Sequence, residues 1–189
     1  MSEKGFTLVE IMVAMVIALV VLGALVGNFI MQHNNYRQQA EVTEMQEYVR
    51  AGIEMMTREL LMAGYNPAGA SGTGILSGGL DSIRFAADLD EDGLISGDEE
   101  ITYTLDTVDL QLTRNDEPLA ENIPSDGLEF TYYDGGNSEI STPLSPTDLA
   151  EVRRITIYLK GRTKSPKPGY GYSFRELESS VVLRNLAIN

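Results

Sequence analysis

Cysteine is missing from this chain, histidine occurs once, and no proline lies between Phe6 and Asn66. Without thiols there is neither a disulfide framework nor a thiolate metal site, so folding rests on packing, with oxygen the expected ligand of any metal that aids it. The single histidine, His33, rules out a histidine pair, and neither nucleophile-elbow glycines nor a phosphate-binding loop is present. Bases are scarce where acids are dense: Asp81 to Glu139 holds 17 acids against Arg84 and Arg114. That field argues against nucleic acid as a partner, because affinity for phosphate backbones rests on Lys and Arg. From Glu151 to Asn189 the balance reverses, with eight bases against three acids. This basic stretch reads as a solvated face or an intramolecular partner for the acidic one. Acid pairs such as Asp98 and Glu99 are better explained as loop ligands and solvated neighbours than as a general acid and base. The expectation is a structural protein and no enzyme.

Long apolar runs are also few, and the one present dominates the N-terminal part. After Met1-Ser-Glu-Lys-Gly-Phe-Thr-Leu-Val-Glu10 the sequence is apolar from Ile11 to Val26. Glu10 is thus a lone carboxylate near the start of a membrane-length segment. An acid well inside a bilayer costs about 2.5–3.5 kcal/mol on insertion scales, so one kept there needs a partner or a function. A secretory signal peptide fits poorly, since Met1 to Lys4 carries one acid and one base and Glu10 interrupts the apolar core. A plain single-span anchor also fits, because Phe6 to Ile30 exceeds the ~20 residues a span needs.

The run Lys4-Gly5-Phe6-Thr7-Leu8-Val9-Glu10 resembles the prepilin leader of type IV pilins and type II secretion pseudopilins. The resemblance implies cleavage after Gly5 by a prepilin peptidase and N-methylation of Phe6. It further implies that Glu10 pairs with the N-terminal amine of a neighbouring subunit during assembly. A bare amine and a bare carboxylate are both costly in hydrocarbon, and each offsets the other only when two chains dock in one register.

Beyond the span, Val42, Met45, Val49, Gly52 or Ile53, Met56, Leu60 and Ala63 recur at spacings of three and four, the mark of an amphipathic helix. Methionines 45, 55, 56 and 62 read as gap-filling core and His33 as a solvated residue outside the membrane. With no proline to break it, a helix from Phe6 to Met62 would extend about 85 Å. Gly23 and Gly27 weaken it locally by about 1 kcal/mol each. Gly64-Tyr65-Asn66-Pro67 supplies the stop. Ala68 to Gly79 reads as a loop. Strand-like runs follow at 82–85, 100–105, 109–112, 127–133, 154–159 and 178–184, separated by turn-rich stretches. The predicted fold is α+β, pilin-like: a long N-terminal helix, membrane-spanning in its first half, packed by its second half on an antiparallel β-sheet. The predicted division is a leader at 1–5, a transmembrane and assembly half-helix at 6–30, an amphipathic half-helix at 31–64 and a β-rich globular domain at 65–189.

That domain contains Asp88-Leu-Asp90-Glu-Asp92-Gly93-Leu94-Ile95-Ser96-Gly-Asp-Glu99. The spacing matches a 12-residue EF-hand loop: acids at positions 1, 3 and 5, glycine at 6, a backbone carbonyl at 7, serine at 9 and glutamate at 12. Asp88, Asp90, Asp92, the Leu94 carbonyl, Ser96 and Glu99 are therefore the candidate ligands of a Ca²⁺ ion, with Glu99 able to supply two oxygens. Strands on both flanks, in place of helices, point to a structural ion rather than a sensor. The plainer alternative is an acidic turn without an ion.

Arg58-Glu59-Leu60-Leu61-Met62-Ala63-Gly64-Tyr65-Asn66-Pro67, the block from Asp88 to Leu105 and Ser180-Val-Val-Leu-Arg-Asn185 together resemble minor pilins of the PilW type. J-type pseudopilins of type II secretion are similar in layout. Gly136 to Thr147 carries no recognised motif. Major pilins often have a proline late in the span and a C-terminal cysteine pair, which this chain lacks. The resemblance implies a minor pilin in pilus assembly or initiation, with other minor and major pilins, the inner-membrane assembly platform, prepilin peptidase and membrane lipid as partners. It implies a single-pass inner-membrane location with a periplasmic domain, followed by the pilus at the cell surface. The alternatives are a J-type pseudopilin and an anchored calcium-binding ectodomain that never polymerises.

Overall fold

A computed structural model describes residues 5–186. Helix α1 runs from Leu8 to Leu60. The chain forms two compact units, one ending at Glu41 and the other beginning at Val42. In the first unit the helix carries exposed apolar side chains from Leu8 to Met31. It is long and apolar enough there to cross a membrane.

The second unit is built on the apolar stripe of α1. Met45, Val49, Gly52, Ile53, Met56 and Leu60 are buried, at the spacing the sequence predicts. The helix ends at Leu60 rather than beyond Met62, and a tight turn takes over, with the Met62 amide donating to the Glu59 carbonyl at 2.9 Å. Gly64 closes it at φ +77°, a left-handed conformation that suits glycine.

The strands divide into two antiparallel sheets. The first is a meander of β1 (Gly74–Gly78), β2 (Ser82–Ala86), β3 (Glu100–Asp106), β4 (Gln111–Arg114) and β5 (Glu117–Glu121). The second has the order β7-β6-β8-β9, from β6 (Leu128–Tyr133), β7 (Glu139–Ile140), β8 (Arg154–Arg162) and β9 (Phe174–Val182). A short helix, α2 (Pro146–Glu151), precedes β8. Period-two alternation sets the faces: Ile101, Tyr103 and Leu105 of β3 point inward, as do Ile155, Ile157 and Leu159 of β8. Register places Phe85 opposite Ile101 and Phe130 opposite Ile157.

One core unites α1 with both sheets. A Cβ added at Gly52 would meet Leu159 of the second sheet at 2.9 Å and Leu112 of the first at 3.3 Å. The sheets are also joined directly, by the Tyr132 hydroxyl donating to the Gly79 carbonyl at 3.0 Å and the Phe130 amide to the Leu80 carbonyl at 2.7 Å. The α+β architecture expected from the sequence is the one observed, with its strands shared between two sheets.

Candidate functional site: a capped helix start and an acidic loop

At the start of α1, Thr7 and Glu10 hold each other. The Thr7 amide and hydroxyl donate to Glu10 Oε2 at 2.8 and 2.7 Å, and the Glu10 amide donates to Thr7 Oγ1 at 3.3 Å. This is a capping box, which satisfies helix N–H groups that have no intrahelical acceptor. Its signature, Thr-x-x-Glu before an apolar run, is plain at Thr7-Leu8-Val9-Glu10, so Glu10 has a partner in its own chain besides the intermolecular one expected from the sequence. Gly5 and Phe6 precede the helix and are exposed. Of the expected leader, Met1 to Lys4 lie outside the described residues.

The acidic loop joins β2 to β3. Its ends are closed by the Ala87 amide donating to the Glu99 carbonyl at 3.1 Å. It is also fastened to the residues just after α1: the Gly64 amide donates to the Ala86 carbonyl at 3.0 Å and the Asp88 amide to the Tyr65 carbonyl at 2.8 Å. From the other side, the Tyr65 hydroxyl donates to Glu91 Oε1 at 2.8 Å. Gly93 sits at φ +80°, supplying the left-handed residue that the tight loop requires.

Within the loop, Asp88, Asp90 and Glu99 each place one carboxylate oxygen within 4.8 Å of the others. Ligands of a shared Ca²⁺, each 2.3–2.6 Å from the ion, lie no more than about 5 Å apart. The spacing therefore fits such an ion. Asp92 falls outside this tight group. Its Oδ1 accepts the Leu94 amide at 2.8 Å, while Asp90 Oδ1 accepts the Asp92 amide at 3.2 Å, local turns that shape the backbone. Leu94 and Ser96 are exposed on the same stretch.

Glu99 is already engaged. Its Oε1 accepts the Leu89 and Asp90 amides at 2.6 and 3.1 Å, and Oε2 accepts the Ser96 amide at 3.0 Å. These amides, Ser96 foremost, hold its carboxyl below the usual glutamate range. A carboxylate offers about four lone-pair sites, and three are filled here. In this arrangement Glu99 has one oxygen left to give, where an EF-hand glutamate gives two.

Asp88 is the opposite case. It is 0% exposed, and neither of its carboxylate oxygens meets a hydrogen-bond donor among the described residues. Buried polar groups are almost always paired, so a buried carboxylate facing two other acids points to a missing positive charge. Asp88, Asp90 and Glu99 thus form an acidic cluster able to hold a metal ion through oxygen.

No curated protein matches the chain. Among solved structures it is similar to a type IV-like pilin from Thermus thermophilus, with 16% identity over 75% of this chain and 97% of that one and a TM-score of 0.45. The family model described as the prokaryotic N-terminal methylation motif matches residues 1–26, so the apolar start of α1 and its Glu10 lie within that motif.

Proposed function

We propose that this chain is a minor pilin, of the PilW type, that enters a type IV pilus through the apolar part of α1. The observation that carries the reading is Glu10, a carboxylate among exposed apolar side chains inside the N-terminal methylation motif. Prepilin peptidase removes residues 1–5 and Phe6 becomes the methylated N-terminus. Residues 6–30 anchor the chain in the inner membrane, residues 31–64 carry the amphipathic half of the helix, and 65–189 form the periplasmic globular domain, later displayed on the pilus.

During assembly Glu10 leaves Thr7 and turns to the amine of a neighbouring pilin. In hydrocarbon that charge pair forms only in the one register that joins both partners, so it selects how subunits stack. Other minor and major pilins, the assembly platform and membrane lipid are the partners. The acidic loop at 88–99 holds Ca²⁺ as a structural ion of the globular domain.

The test counts surface pili on a deletion strain and assays secreted enzymes in the same cultures. Loss of pili with normal secretion is the expected result. Normal pili with lost secretion would move the chain to the J-type pseudopilins. An intact leader in the mature protein, with both functions normal, would leave a non-polymerising anchored ectodomain.

A further inference from the structure

We infer that the acidic loop and the residues that terminate α1 form one cation-dependent unit, in which a divalent ion seated on Asp88 locks the loop onto Gly64 and Tyr65. The inference rests on reading residues 88–99 as an oxygen-ligated cation site, and it adds what the ion controls.

Asp88 needs a positive charge that none of the described residues brings to it. It is fully buried, its two oxygens lack donors among the described residues, and its nearest charged companions in the cluster are Asp90 and Glu99. Arg84 and Arg114 are the only bases between Asp81 and Glu139. Arg84 is taken by Glu100 at 2.6 Å and Arg114 by Glu59 at 3.0 Å. A hard cation accepting oxygen ligands answers the deficit, and the oxygen-only donor set and the spacing of the cluster suit Ca²⁺.

The position of Asp88 then decides what the ion does. Its own amide is bonded to the Tyr65 carbonyl, and two residues earlier the Ala86 carbonyl is bonded to the Gly64 amide. Tyr65 in turn reaches back to Glu91 in the loop. The ligand and the helix terminus therefore share one short run of backbone. With the ion bound, drawing Asp88, Asp90 and Glu99 together fixes both bonds. Without it, repulsion among three carboxylates drives Asp88 toward water, and the two bonds to the end of α1 loosen with it.

The test uses the full chain in detergent with terbium(III) as the probe, excited through tyrosine, and Ca²⁺ as the competitor. Terbium emission that Ca²⁺ quenches and Tyr65→Phe weakens is expected, since Tyr65 is bonded to the loop. Hydrogen exchange is then followed with and without Ca²⁺. Ca²⁺ should slow exchange of the Gly64 and Asp88 amides together, on the order of tenfold, because both report one opening event. Asp90→Asn should lose emission and protection alike. Asp88→Asn removes the buried charge and should protect both amides without Ca²⁺. Terbium binding with protection confined to residues 89–98 would overturn the coupling and leave the cation site standing. No emission and no effect of Ca²⁺ on any amide would overturn both.

Discussion

Glu59 of α1 accepts the Arg114 Nε of β4 through both carboxylate oxygens, at 3.0 and 3.1 Å. The hydroxyl of Tyr103, a fully buried residue of β3, donates to the same carboxylate. Burial and then Glu59 push the Tyr103 hydroxyl far above the usual phenol range, while Glu59 raises Arg114. The three groups fasten the helix to the first sheet at a place where neither charge is fully wet.

Breaking that contact from one side should be expensive. Arg114→Ala is expected to destabilise the fold by about 2–4 kcal/mol, because the part-buried Glu59 loses its counter-charge. Arg114→Met combined with Glu59→Gln should cost less than the sum of the two single changes. Urea unfolding of the four proteins forms the cycle, and strict additivity would show that the pair contributes no coupling.

Close approach of α1 to the second sheet gives a second expectation. A Cβ at Gly161 would stand 2.5 Å from Val49 Cγ2 and 3.3 Å from Met45 Cγ. Gly161→Ala should therefore cost about 1–3 kcal/mol by overpacking. Gly52→Ala meets the flexible ends of Leu159 and Leu112 and gains helix propensity, so its loss should be smaller. Thermal melting ranks the two, and the reverse order would contradict the packing described.

Glu10 caps α1 with Thr7, and the assembly pair is its proposed second role; two variants separate them. Thr7→Val removes the hydroxyl contact but keeps the carboxylate, and should still enter filaments. Glu10→Ala should be cleaved and inserted yet stay out of them. Filament fractions probed by immunoblot, with mass spectrometry for a methylated Phe6, read both variants. Equal exclusion of the two would assign Glu10 to the cap alone.

Cation selectivity follows from the ligand set. Ca²⁺ should raise the melting temperature more than equal Mg²⁺, which demands a smaller, near-ideal octahedron and gives up water reluctantly. Chelation with EGTA should reverse the gain. A larger shift with Mg²⁺ would contradict a Ca²⁺-sized site.

Much of this was legible in the sequence, for identifiable reasons. The helix, its buried stripe from Met45 to Leu60 and the inward residues of β3 and β8 follow from period, which is a local property. The split into two sheets is not local, since β6 pairs with β8 across the intervening strand β7 and helix α2. Strand β1 hid in a glycine-rich stretch read as loop, β5 carries Pro118, and β4 lies two residues later than its expected start. Helix α2, beginning at Pro146 and capped by Ser145, falls largely beyond the segment without a recognised motif. At the site, spacing gave the acids of the loop but could not show that Asp88 is orphaned while Glu99 already accepts three backbone amides.

The shared core has a consequence for the order in which the protein is made. Val49 leaves the ribosome long before Leu159, its companion in the core, has been synthesised. At 5–20 residues per second, the helix waits about 5–20 s for the strand that covers it. Throughout that interval its stripe is bare, next in sequence to an apolar run long enough to cross a membrane, so the nascent chain exposes two apolar surfaces until β8 and β9 arrive.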